Sequence, residues 1–165
     1  MLNKIGKCFA IAVAISVLLI FSSCFNGNGT TQNTAEVDFS VASKVQIHYN
    51  EQVIDCVIKF DGTHLDFNYS NEKDAIGGAY VRISESGYKI TYTDMVFEGE
   101  TANLPTSFLP NIIFQLLKSQ GSSFLLESFD EENNCNRGSF SVYEYFLNIE
   151  LYKTNGLTTY AIYIK

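Results

Sequence analysis

Apolar side chains fall on alternate residues through most of this chain. A strand turns successive side chains to opposite faces, so a chain patterned this way must form strands with one buried face. Over residues 36–49, EVDFSVASKVQIHY, the residues Val37, Phe39, Val41, Val45, Ile47 and Tyr49 all take odd numbers. That is one long strand, or two joined by a bulge near Ser43. After a turn at Asn50-Glu51-Gln52, the phase changes and Ile54, Cys56, Ile58 and Phe60 share a face. Asp61-Gly62 is a strong turn dipeptide, and Leu65, Phe67 and Tyr69 alternate beyond it.

Residues 71–78, NEKDAIGG, read as a loop, followed by strands over 79–84, 88–93 and 95–98, the last two contiguous or parted by a tight bend at Asp94. Short connections between such strands predict an antiparallel meander. The alternation returns after residue 138 through Phe140, Val142, Tyr145, Leu147, Ile149 and Leu151. Asn155-Gly156 marks a hairpin turn before the last strand, with Tyr160, Ile162 and Ile164 on one face.

The period changes once. In SFLPNIIFQLLKSQG, Leu109, Ile112, Ile113, Leu116 and Leu117 recur at helical spacing, which predicts a helix near 108–120. Ser107 suits the N-cap and Pro110 the first turn. Lys118 suits the negative end, and Gly121 the left-handed residue beyond it. The expected architecture is mainly β, a curved antiparallel sheet or half-barrel of about 8–10 strands wrapped on one amphipathic helix. It occupies a single domain over residues 35–165.

The first residues have another pattern. Lys4 and Lys7 precede a run over residues 9–21, FAIAVAISVLLIF. That run is shorter than the roughly 20 apolar residues of a spanning helix and has the length of a signal-peptide core. Ile20-Phe21-Ser22-Ser23-Cys24 resembles a bacterial lipobox. The motif implies cleavage between Ser23 and Cys24, diacylglyceryl attachment to Cys24, and retention on the outer face of the cell membrane. Residues 1–23 are then a signal peptide, and 24–34 a flexible Gly/Asn/Thr-rich tether with a mean reach of roughly 20 Å. Loss of two lysines and no acid leaves nine basic against 18 acidic side chains, so the net charge moves from −7 to −9. An acidic domain lacks the Lys/Arg surface that holds phosphate backbones, so no nucleic-acid partner is expected.

The order of turns and strands is similar to that of small lipoproteins of low-GC Gram-positive bacteria with a LolA/LolB/LppX-like fold. The features that carry the resemblance are DFSVASKVQIHY, Phe60-Asp61-Gly62, LDFNYS, a Gly-Gly loop and GYKITYTDMVFEG. A Leu-Pro before the single helix and the hairpin KTNGLTTYAIYI complete it. The last of these has Thr158 where related hairpins often carry proline. The resemblance implies a half-barrel wrapped on a helix, and in carriers of this superfamily the concave face holds acyl chains.

No catalytic, cofactor or metal constellation stands out. His48 and His64 lack clustered ligands, and Asp130, Glu131 and Glu132 lack the spacing of a calcium loop. The chain is expected not to be an enzyme. Two readings remain. One is a binding domain for a lipid or other apolar molecule, lined by Ile54, Ile58, Phe67, Tyr69, Ile112, Ile113, Leu116 and Leu117. The other is a structural or protein-interaction lipoprotein with a filled core, accessory to an envelope complex. Cys56 and Cys135 either pair, as export would permit, or stand as a small buried hydrophobe and an exposed thiol in a polar loop.

Overall fold

The structure, a computed structural model, describes residues 34–70, 77–154 and 157–165. Two sheets and one α-helix make up the fold. A small antiparallel sheet pairs β1 (Ala35–Asp38) with β8 (Ser123–Leu126). The large sheet has ten strands: β2 (Ser43–Tyr49), β3 (Gln52–Phe60), β4 (Leu65–Tyr69), β5 (Tyr80–Ile83), β6 (Tyr88–Tyr92), β7 (Met95–Gly99), β9 (Ser128–Asp130), β10 (Cys135–Val142), β11 (Tyr145–Thr154) and β12 (Leu157–Ile164). Their spatial order is β7-β6-β5-β4-β3-β2-β12-β11-β10-β9. The sheet curves without closing into a barrel. Helix α1 (Leu109–Gln120) covers its apolar face, with contacts that include β5 and β10.

The mainly β expectation holds, with two corrections. The large sheet is mixed rather than antiparallel throughout. Two meanders, β2 to β7 and β9 to β12, meet where β12 runs parallel to β2, with Ile162 opposite Ile47 and Tyr163 opposite His48. The second correction concerns residues 36–49, which belong to two strands in different sheets. Phe39 lies at the crossing. Its N–H donates to the Ser122 carbonyl at 2.8 Å and its carbonyl accepts from Phe60 N–H at 2.7 Å. Val41 shares the parity of the core residues but is 60% exposed, because the chain bends between sheets at residues 40–42. Asp38 Oδ1 accepts the Ser40 N–H at 2.8 Å, and Ser43 Oγ donates to the Asp38 carbonyl at 3.2 Å. Together they close the bend.

Hairpin geometry follows the turn residues. Tyr49 faces Gln52 across a two-residue loop, and Asn50 and Glu51 both have positive φ, 49° and 64°. Paired positive φ matches the right-handed twist of the strands. Gly62, with φ 94°, follows Asp61, whose Oδ1 accepts N–H groups of Thr63 at 2.9 Å and His64 at 2.7 Å. Those bonds, His64 first, hold the Asp61 carboxyl well below the usual range. β6 and β7 form a hairpin closed by Thr93-Asp94, with Tyr92 opposite Met95. Asn155-Gly156 and most of the 71–78 loop lie outside the described residues.

Helix α1 begins one residue later than its expected cap. Phe108 is the N-cap and makes no side-chain capping bond, while the Ser107 carbonyl accepts from the Tyr49 hydroxyl at 3.2 Å. Pro110 sits in the first turn and Lys118 in the last. Lys118 also reaches Glu85 at 2.7 Å. Gly121 ends the helix at φ 88°, its N–H bonded to the Leu117 carbonyl at 2.7 Å. The apolar stripe of the helix enters one core with both meanders and the small sheet. Gly138 of β10 allows the small sheet to approach. A Cβ there would stand 2.7 Å from Leu126 Cδ2.

Two substitutions should act with opposite signs. Gly138→Ala forces β8 away from β10 and should lower stability by about 1–3 kcal/mol. Glu51→Gly relieves a left-handed backbone that an L-residue adopts at a cost, and should raise stability by up to about 1 kcal/mol. Urea denaturation of both variants, compared at unchanged m-value, measures each.

Candidate functional site

The eight residues expected to line an apolar pocket do converge on the inner face of the large sheet. Cys56 lies opposite Val45 and Tyr69, Ile58 opposite Ser43 and Phe67, and Phe67 opposite Val81, so these side chains form one continuous apolar surface. Helix α1 lays Ile112, Ile113, Leu116 and Leu117 over it. Phe114 joins them edge-on to Phe60, with ring centroids 6.2 Å apart. Ile58, Phe67, Ile112, Ile113, Leu116 and Leu117 are sealed from solvent, Tyr69 is buried, and Ile54 is half-buried against the same cluster. Over these residues helix and sheet pack against each other, and at one margin a depression of about 490 Å³ opens between Phe114 and Lys118 of the helix and Phe60, His64 and Ser84 of the sheet and its turns.

The Cys56–Cys135 bridge is not made; both thiols are free and buried. Cys56 faces the core from β3, where burial pushes its thiol pKa up. Cys135 is a strand residue of β10 and not part of an exposed loop. Its register partner Tyr152 shows that it faces the opposite, outer side of the sheet. β2, β12 and β11 separate the two strands, a span of roughly 19 Å at ordinary strand spacing. A disulfide needs Cα atoms within about 7 Å.

Two surface features carry what the interior does not. The first is the sheet edge at β7. This strand pairs with β6 on one side, and among the described residues no strand pairs with its other side. All five of its residues are exposed, Met95 at 49%, Val96 at 53% and Phe97 at 54%. The strand-by-strand register puts Met95 and Phe97 on the helix side of the sheet, beside half-buried Tyr92 and Ile90. Asp94, Glu98 and Glu100 are exposed around them, and Glu98 meets Lys89 at 2.9 Å. An edge with open backbone groups and apolar side chains is a template for another strand.

The second feature is a polar network on the outer face. Glu150 of β11 is only 6% exposed. Its Oε1 accepts from Arg137 Nε of β10 at 2.7 Å, and its Oε2 accepts from the Tyr152 hydroxyl. Arg137 also bridges to Asp130 at the end of β9. Hydrogen bonds from Asn133, side chain first and then backbone, lower the Asp130 carboxyl pKa. Donation to Glu150, with burial adding to it, holds the Tyr152 phenol well above its usual value. Burial first, then the Glu150 charge, raises the Cys135 thiol. The acidic run at residues 130–132 thus contributes one carboxylate to an ion-pair chain. Among the described residues no group of three or more His, Cys, Asp or Glu side chains is placed to hold a metal.

His48 stacks on Tyr163 across the β2/β12 seam at 4.4 Å, and His64 Nδ1 meets the Thr63 hydroxyl at 2.7 Å. Sequence reading passed over the Arg137–Glu150 pair because its register is a cross-strand property. The signal within reach was charge on an alternating strand, Arg137 in CNRGSF and Glu150 in LNIELY, where solvation is the ordinary expectation. No protein-family model matches this chain, and no curated protein or solved structure is significantly similar to it.

Because Leu116 is packed on every side, Leu116→Ala should cost about 2–5 kcal/mol, the range for a core truncation. A residue lining an open pocket would tolerate the change. Native mass spectrometry of the unmodified protein should also show no lipid between helix and sheet.

Proposed function

We propose that this protein is a lipid-anchored, non-enzymatic lipoprotein of the outer face of the cell membrane. It docks an extended segment of an envelope protein along the β7 edge. The observation that carries the docking role is the pairing of a filled interior with an open apolar edge strand. Of the two readings of the sequence, an inner face on which six of the eight expected lining residues are sealed from solvent supports the interaction lipoprotein over the lipid carrier. The anchoring part of the proposal rests on Lys4, Lys7, the apolar run and the lipobox-like residues ending in Cys24. No helix among the described residues is long and apolar enough to cross a membrane. A relationship to the LolA/LolB/LppX-like lipoproteins belongs to the same proposal, supported by the curved sheet on a single helix. The acyl-chain cargo of the carriers is left out of it.

Strand addition fits the edge chemically. The partner backbone would supply hydrogen bonds to the outer side of β7, and its alternate side chains would meet Met95 and Phe97. Asp94, Glu98 and Glu100 select for basic residues flanking that apolar segment. Pairing at an open edge gains backbone bonds without disturbing the core.

The test is a photo-reactive residue at Val96 in the full chain, expressed in its native membrane. A discrete adduct with one envelope protein is expected, lost in Phe97→Asp and absent when the probe is placed at Lys44 on the outer face. Equal labelling from both positions, or adduct yield unaffected by Phe97→Asp, would remove the edge from the mechanism. Globomycin-sensitive processing checks the anchor. Cys24→Ser should leave an uncut precursor that still folds.

A further inference from the structure

The outer face of the large sheet carries a second surface, separate from the β7 edge and on the other side of the sheet from the core. A depression of about 560 Å³ lies over β10, β11 and β12, lined by Arg137, Asn148, Glu150, Tyr152, Tyr163 and Lys165 among others. A smaller one of about 230 Å³ lies over the β2–β3 hairpin and includes His48, Glu51, Gln52, Tyr163 and Lys165. Tyr163 and Lys165 border both. The two depressions therefore adjoin on either side of Tyr163, across the parallel β2/β12 seam.

We infer that this run of surface is a binding site for a neutral, polyhydroxylated ligand, a short oligosaccharide laid across the seam with a sugar face against Tyr163. Charge excludes the obvious alternatives. The Arg137 guanidinium is matched by Glu150 at 2.7 Å and by Asp130. An anion would meet the Glu150 carboxylate, and a cation would meet Arg137 and the Lys165 ammonium. An apolar ligand would cover the half-exposed Asn148 amide and the exposed Lys165 ammonium without bonding them, and a polar group buried unmatched weakens binding. A sugar has donors and acceptors on the same carbon ring and an apolar face of C–H groups. It can satisfy such a surface without adding net charge.

The site is also prepared in advance. Glu150 is held from both oxygens, by Arg137 and Tyr152, so its carboxylate does not reorganise on binding. Ser139 Oγ donates to Asn148 Oδ1 at 2.7 Å, which fixes the amide in the lining of the depression. The Tyr163 ring is locked by its stack on His48, 19° from parallel. Fixed rings and fixed polar groups bind with little loss of side-chain freedom. The larger depression is within the roughly 300–1,000 Å³ of small-molecule sites.

The measurement is an NMR titration of the full chain in detergent micelles with chitotriose, maltotriose and cellotriose, each to millimolar concentration. At least one should shift the amides of Asn148, Glu150 and Tyr163. Tyr163→Ala and Asn148→Ala should each weaken it by about tenfold or more with the circular dichroism spectrum unchanged. Asn148→Ala removes only a half-exposed amide and keeps the test valid if the Tyr163 variant unfolds. Failure of all three sugars to shift these amides would overturn the inference. So would the same shifts produced by inorganic phosphate, or binding undiminished in both variants. None of these outcomes touches the β7 edge.

Discussion

The parallel pairing of β12 with β2 holds the rest of this structure in place. Each meander alone is a curved ribbon with an apolar face and two open edges. Joined at the seam, they make one surface wide enough to wrap helix α1, and two of the four edges vanish. Ile47 and Ile162 face each other on the inner side of that seam, fully buried. His48 and Tyr163 stack on the outer side. The same register thus completes the core on one face and builds the polar surface on the other. Because side chains alternate, a slip of one residue in β12 would exchange the two sets and ruin both.

Curvature follows from burial. A ten-stranded sheet cannot leave its apolar side wet, and α1 supplies the apolar stripe that it curves around, touching β5 towards one end and β10 towards the other. The ends are treated differently. Near β9 and β10 the small sheet of β1 and β8 packs inward, possible because Gly138 leaves room for Leu126. At the other end nothing among the described residues covers β7. Of the two edges that remain, β9 is three residues long and β7 five, all five of them exposed, and that length and exposure give β7 its proposed role.

The inner and outer faces divide the chemistry of the molecule. Inside, Cys56 and Tyr69 lie among aliphatic and aromatic side chains, and burial first raises both their pKa values. Outside, Arg137, Glu150, Asp130 and Tyr152 satisfy one another in a chain of charge-assisted hydrogen bonds. Cys135 lies within that chain and not in the core, so the two thiols occupy different environments as well as different strands. Both thiols are free and buried, one beside charged groups and the other among hydrocarbon.

Local pattern determined what is local. The alternation of Val45 and Ile47, of Ile54, Cys56 and Ile58, and of Leu147 and Ile149 names the inner face of each strand. The spacing of Leu109 to Leu117 names the helix and its buried stripe, and Asp61-Gly62 and Gly121 mark their turn and cap. The eight residues singled out for the inner face do meet there, because periodicity assigns a face without needing to know what lies opposite. It cannot say whether the space between is open, since that depends on how closely the helix settles on the sheet. Tertiary structure decided the rest. Val41 keeps the parity of the core yet is exposed, since only the crossing from one sheet to another sets where the chain bends. The β2/β12 seam joins residues more than a hundred positions apart, and its parallel sense is invisible to turn chemistry. Arg137 and Glu150 are each an ordinary charged strand residue until register puts them face to face. Period and turns are properties of neighbouring residues, whereas seam, edge and ion pair exist only once distant strands have chosen their partners.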